Sequence, residues 1–150
     1  MGNCSVDSVK KNPSGSLELK QEHWVKMLDH VCRLAPQEAC GLIAGLEDIA
    51  CEVIPITNTL HSPVRYRMHP QEQLDAFNHI EAHGSELLGI YHSHPAGPAV
   101  PSATDVAEAA YPGVIHLIWS RSSGAWQCRA FIIEEDQVQE VALDINRQAL

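Results

Sequence analysis

A paired-cysteine framework is missing from this sequence. The five cysteines, Cys4, Cys32, Cys40, Cys51 and Cys128, are odd in number and none is spaced C-x-x-C. That argues against a disulfide scaffold or a structural zinc knuckle and fits a reducing cytoplasm. Positive charge is scarce as well. Ten Lys and Arg stand against nineteen Asp and Glu, a net charge of −9. Phosphate backbones repel such a surface, so nucleic acid is not an expected partner. No apolar run approaches the length of a membrane span, and none follows the N-terminus as in a signal peptide, so no membrane association is expected. Met1-Gly2-Asn3-Cys4-Ser5-Val6 falls short of a myristoylation signal, which calls for Ser or Thr where Val6 stands.

What is present is the composition of one globular domain. The chain has 150 residues, 45% apolar and 19% charged, enough for a single substantial core. Residues 1–16 are polar and without period, and read as a loose tail before one domain over 17–150. From Glu18 to Leu34 the apolar residues Trp24, Val25, Leu28, Val31 and Cys32 fall at helical spacing, and Pro36 ends the helix. Glu38–Leu46 and Cys51–Thr57 read as strands, with Gly41 and Gly45 marking close backbone approach and Pro55 marking an edge. After a loop or short strand over 58–69, Pro70 opens a helix that Gly84 closes. Glu86–His92 is nearly all apolar and reads as a central strand. A short helix runs from Ser102 to about Ala110. Val114–Trp119 and Trp126–Ile133 form a hairpin around the polar turn Ser120–Gly124, and Val138–Leu143 is a last strand. The expected architecture is an α/β (α+β) sandwich, a central mixed sheet with a long helix on each side.

The chemistry concentrates in Gly89-Ile90-Tyr91-His92-Ser93-His94-Pro95 followed by Pro101-Ser102-Ala103-Thr104-Asp105, an H-x-H-x7-S-x2-D pattern. Histidines two apart on a strand project to one side, and a carboxylate returning from the next helix can close a three-ligand site. Three protein ligands and one open position make the arrangement of a catalytic zinc. Ser102 and Asp105 also fit a helix capping box, and the two readings are compatible. Glu38, in the run Glu38-Ala39-Cys40-Gly41-Leu42-Ile43-Ala44-Gly45, offers a general base on a rigid element. Elsewhere His23, His30, His79 and His83 read as surface polar groups on helices. His61, His69 and His116 lack a second ligand at suitable spacing. Trp24, Trp119 and Trp126 read as core, with a secondary rim role for Trp119.

With Glu38, His92, His94, Ser102 and Asp105 at these spacings, and Gly41 and Gly45 after the glutamate, the sequence resembles the JAMM (MPN+) zinc metalloproteases in their short prokaryotic form, across most of residues 17–143. Arg65-Tyr66-Arg67-Met68-His69-Pro70 resembles the segment before the family's second helix, although an acidic residue is more usual where His69 stands. The resemblance implies an MPN, cytidine-deaminase-like fold. It implies one Zn²⁺ per chain on His92, His94 and Asp105, with Glu38 moving a proton and Ser102 donating to the developing oxyanion. Cysteine is then not the nucleophile, and Cys40 is expected to be a small buried hydrophobe. The implied substrate is the C-terminal tail of a ubiquitin-like β-grasp protein, added as a strand at an exposed sheet edge and flanked by the 57–69 region and the Pro95–Pro101 loop. Tag removal and release of a small product such as cysteine from a sulfur-carrier protein both fit, and the resemblance allows a homodimer. Two alternatives compete: a non-catalytic scaffold of the same fold that binds a ubiquitin-like partner, and a DNA-repair-linked domain class with a similar H-x-H…S-x-x-D pattern. Intact ligands weigh against the first and the acidic charge against the second.

Overall fold

A computed structural model describes residues 16–122 and 124–146. Its elements run β1 (Ser16–Lys20), α1 (Gln21–Leu34), β2 (Cys40–Leu46), β3 (Ile49–Ile56), α2 (Pro70–Ala82), β4 (Glu86–His94), α3 (Ala103–Glu108), β5 (Ile115–Ser120), β6 (Gln127–Glu134) and β7 (Gln137–Asn146). The sheet is mixed, and it is closed. In space the strands follow the order β1-β3-β2-β4-β5-β6-β7, and β1 joins the two ends. It lies parallel to β7 from Ser16↔Ala142 to Lys20↔Asn146 and touches β3 at Glu18↔Ile49.

This corrects the sequence reading at its N-terminal end. Ser16 opens a strand rather than closing a tail, and Glu18–Lys20 are extended, with the helix beginning at Gln21. Leu17 and Leu19 are completely buried while their neighbours face outward, the alternation of a half-buried strand. Two alternating leucines ahead of a long helical period carry too little signal to stand apart from it. The rest of the tail, with Cys4, lies outside the described residues.

Two apolar clusters fill the molecule. Met27 and Val31 of α1 pack with Leu17, Leu19, Ile43, Tyr91, Leu117 and Trp119. Ala76 and Ile80 of α2 pack with Cys40, Leu42, Ala44, Ile90 and Val114. Successive residues of β2 thus alternate between clusters, as the period of two requires. His23 and His30, read as surface groups, are buried under α1. His23 Nδ1 accepts from the Lys20 amide at 3.1 Å, and His30 Nδ1 lies 2.7 Å from the Tyr91 hydroxyl. Trp119 is wholly buried and packs against Trp24, with ring centroids 4.6 Å apart and planes tilted by 52°, so it has no place at a substrate rim. Gly41 pairs across the ladder with Tyr91, and a Cβ there would overlap the Tyr91 ring. At Gly45 the obstacle is the Ile49 carbonyl, the close backbone approach expected of a strand glycine.

For the site, the decisive feature is the crossover from β4 through α3 to β5. The two strands are parallel, Gly89↔Ile115 through His94↔Ser120, so the chain must return over the end of the sheet. That return places α3 above the carboxyl end of β4, where open parallel strands present their ligands.

Candidate active site

β4 runs through both histidines to His94, and Pro95 stops it there. The period of two turns His92 and His94 to the same side. Their Nε2 atoms lie 3.0 Å apart, and Asp105 Oδ2 lies 3.1 Å from the first and 3.2 Å from the second. Three donor atoms therefore converge on one point, with His92 1% exposed and His94 9%.

The α3 N-terminus fixes the carboxylate. The Ser102 amide donates to Asp105 Oδ2 at 2.8 Å, and the Asp105 amide donates to Ser102 Oγ at 3.0 Å. This is a reciprocal capping box with aspartate in place of the usual glutamate. Capping and convergence coexist, since one aspartate oxygen serves both. Ser102 Oγ is an acceptor in the cap, which leaves its O–H free to donate. Ser102 is exposed at the mouth of the site.

Glu38 stands just before β2 and is 3% exposed. With His92 and His94 it forms a buried group whose candidate ligand atoms all lie within 4.8 Å of one another. Its backbone is clamped: the Glu38 amide donates to the Ser62 carbonyl at 2.8 Å, and its carbonyl accepts from Asn58 Nδ2 at 3.0 Å. The next residue is tied to the strand of histidines, because the Ala39 amide donates to Ser93 Oγ at 2.8 Å and the Ser93 amide donates to the Ala39 carbonyl at 3.0 Å. Ser93 and Asn58 are residues the sequence reading passed over. Ser93 sits in plain view between the two histidines and the period of two turns it away from them, but only the fold shows that it meets Ala39. Asn58 also accepts from the Leu60 and Arg67 amides, each at 3.1 Å, and donates to the Arg65 carbonyl. It holds the 58–68 segment in shape against Glu38.

The environment splits the two carboxyls. Burial pushes Glu38 up to about 7, His94 pulls it partly back, and the Asp105 charge raises it further. Burial also pushes on Asp105, but hydrogen bonds from His92 and His94 outweigh it and hold the carboxyl well below the usual range. One carboxyl is held toward its charged form and the other pushed toward its neutral form, which is how paired carboxyls divide ligand and acid–base roles. Burial lowers His92. In His94 the same effect is overcome by hydrogen bonds to Asp105 and to the Pro98 carbonyl, so it is raised. Cys40, also buried, is pushed up to about 12 by desolvation and donates to the Ile56 carbonyl at 3.5 Å. It stays a thiol, which suits packing and not nucleophilic attack.

The donor set fits a divalent metal. His94 Nδ1 lies 2.9 Å from the Pro98 carbonyl, an acceptor only, so Nδ1 keeps a proton; a bound cation would displace the proton that Nε2 shares with Asp105 and take its lone pair, the outer-sphere device of histidine ligands. The separations of 3.0–3.2 Å approach the edge of about 3.3 Å expected for ligands about 2.0–2.1 Å from a tetrahedral zinc. Both segments expected to flank a channel touch the site. Tyr66 stacks on the His92 ring at 4.7 Å, and the 95–101 loop is pinned by the His94–Pro98 contact and by the Ser120 hydroxyl donating to the Gly97 carbonyl. The closed sheet leaves no free edge on β4, which β2 and β5 flank. A tail cannot add as a strand to β4 itself.

Residues 20–132 match a family model described as prokaryotic homologs of the JAB domain. The chain belongs to this family. It is 43% identical over 115 residues, 76% of this chain and 72% of the relative, to a Thermus thermophilus protein named "Probable TtuB-protein conjugate cleaving protease". It is 32% identical over 140 residues, 93% and 98% of the two chains, to a Pyrococcus furiosus desampylase, and 36% identical over 125 residues, 81% and 86%, to a Mycobacterium tuberculosis CysO-cysteine peptidase. A solution structure from Desulfitobacterium hafniense, 35% identical, superposes with a TM-score of 0.79 over 88% of this chain and 94% of that one. A structure titled as a JAMM metalloprotease-like zinc site in the proteasome and signalosome shares the fold at 18% identity, TM-score 0.58, over 87% and 97%. No helix among the described residues is long and apolar enough to cross a membrane.

Proposed function

We propose that this JAB-family chain is a zinc-dependent peptidase that cuts the amide or isopeptide bond after the C-terminal tail of a ubiquitin-like, β-grasp protein, working in the cytoplasm as one domain that begins with β1 at Ser16. The observation that carries this reading is the convergence of His92 Nε2, His94 Nε2 and Asp105 Oδ2 beside the buried Glu38 carboxyl. Relatives named for cleaving TtuB–protein conjugates, for desampylation and for acting on CysO-cysteine supply the substrate class.

His92, His94 and Asp105 would hold one zinc ion per chain. When bound, the cation supplies Lewis-acid polarisation of the scissile carbonyl and acidification of water at neutral pH. Glu38 takes the proton from the attacking water and delivers it to the departing nitrogen, so the acyl carbon gains hydroxyl and the amine gains hydrogen. The Ser102 O–H, free of the cap, donates to the oxygen that acquires charge. Stacking by Tyr66 holds the His92 ring in plane, and the 58–68 segment with the Pro95–Pro101 loop bounds a passage that side-chain-free Gly-Gly residues can thread.

Metal analysis and cleavage of a ubiquitin-like fusion test this together. Protein purified without chelator is expected to carry about one zinc per chain. Glu38→Gln is expected to keep the metal and lose about 10²–10⁴-fold in kcat, whereas Asp105→Ala loses the metal itself. Metal-free protein that still cleaves the fusion overturns the proposal.

A further inference from the structure

Resting on the proposed zinc peptidase reading and deepening it at the same site, we infer that Ser120, the last residue of β5, is a positioning residue for the metal. Its hydroxyl holds the Gly97–Pro98 peptide so that the Pro98 carbonyl keeps the His94 imidazole aimed at the centre.

β4 and β5 are parallel and end level, with His94 opposite Ser120. The loop leaving β4 at Pro95 touches both ends. Gly97 packs on His94, where a Cβ added to the glycine would stand 3.4 Å from His94 Cβ. The Gly97 carbonyl accepts from the Ser120 hydroxyl, and the next carbonyl, that of Pro98, lies 2.9 Å from His94 Nδ1. Two successive carbonyls are thus committed, one to each strand end. Between them stands a proline ring, which fixes φ near about −65°. Once the Gly97 carbonyl is held, ψ of Pro98 is the one soft torsion left to place the carbonyl that meets His94.

Ser120 is itself fixed. It is completely buried, and the Ser122 amide donates to its Oγ at 3.2 Å. Its hydroxyl adds nothing to the pairing of β5 with β4 and β6, which backbone groups make, so the O–H is spent on the loop. The two histidines differ in this respect. His92 Nδ1 is buried with no hydrogen-bond partner among the described residues, and its ring is held by the stacked Tyr66. His94 is the more exposed of the two, 9% against 1%, and its aim depends on the loop. An acceptor behind the metal-binding nitrogen fixes the tautomer and the ring, and losing such a partner typically costs about 10–100-fold in metal affinity.

Zinc affinity measured by competition with a chromophoric chelator, and the imidazole N–H signals of the zinc-loaded protein measured by NMR, test this. Ser120→Ala is expected to weaken zinc binding by about 10–100-fold. It should also lose the His94 Nδ1 proton signal through exchange with water, while the His92 ring signals stay in place. Pro98→Ala, at an exposed position, keeps the carbonyl but frees φ, and is expected to weaken zinc in the same direction. Combining the two changes is expected to cost less than the product of the separate losses, because both act through one carbonyl. Unchanged affinity or an unchanged His94 signal in Ser120→Ala overturns the inference and leaves the peptidase reading intact. So does equal disturbance of both histidines, or a double variant whose losses simply multiply. Should Ser120→Ala fail to fold, Pro98→Ala decides alone, and full zinc affinity there overturns the inference. If the unaltered protein binds no zinc, the peptidase reading fails and this inference fails with it.

Discussion

At the residue scale, Glu38 and Asp105 show how position decides what a carboxyl does. Both face the same imidazoles, yet one is ionised outright and the other sits at about 7, raised first by burial. The sign of the effect on stability follows. In metal-free protein the unfolded Glu38 ionises near its ordinary 4.5 while the folded one holds its proton to about 7, so this residue removes stability as pH rises through that window. Glu38→Gln keeps the shape and removes the ionisation. The metal-free variant is therefore expected to exceed the unaltered protein in stability by about 2 kcal/mol at pH 8, and the advantage should vanish at pH 4. Denaturant unfolding of chelated protein at the two pH values checks it, and a difference that does not change with pH contradicts it. The charged and metal-facing residues were legible because their chemistry is written in spacing: H-x-H on a strand and S-x-x-D at a helix start need no knowledge of partners. His23, His30 and Trp119 were misplaced for the converse reason. Whether a histidine on an amphipathic helix is wet or dry depends on what lies beneath it, and Tyr91 is sixty-one positions away from His30.

At the scale of elements, the site is a joint between β4 and the start of β2. Ser93 projects opposite to the histidines and closes two hydrogen bonds with Ala39, one through its hydroxyl and one through its amide. Ser93→Ala leaves the Ala39 amide buried and unpaired, at a cost of about 1–3 kcal/mol. Because the residue before it is Glu38, the variant is expected to lower kcat by about tenfold or more through misplacement of the base, with zinc content unchanged. Loss of metal from this variant would show instead that the strand end has collapsed. Most element boundaries were readable from period and from proline, as at Pro36, Pro70 and Pro95. The two tight turns were not. Glu47-Asp48 and Glu135-Asp136 each have positive φ at both residues, 51 and 66 degrees in the first, 49 and 64 in the second. That is the mirror-type hairpin geometry that Asn-Gly would have announced. Acidic pairs adopt it here without signalling it.

At the scale of the whole molecule, the main difference from expectation is closure. A sandwich layer leaves two edges, whereas here β1 bridges β3 and β7 and closes the sheet. Sequence pattern cannot reveal that pairing, because a five-residue strand is compatible with either edge or with none. Leu17 and Leu19 fasten it, both with no exposed surface. Leu19→Ala is expected to cost about 2–5 kcal/mol, read as a fall of roughly 4–20 °C in the melting temperature of metal-loaded protein. An unchanged melting temperature would mean that β1 is dispensable to the barrel. The same pairing has a consequence for synthesis. A ribosome releases Ser16 long before Ala142, and parallel partners this distant cannot meet until the latter emerges. Through most of translation the nascent chain therefore exposes an open sheet with β7 missing, so its window of vulnerability to proteases and to edge-to-edge association is set by the last strand to leave the tunnel.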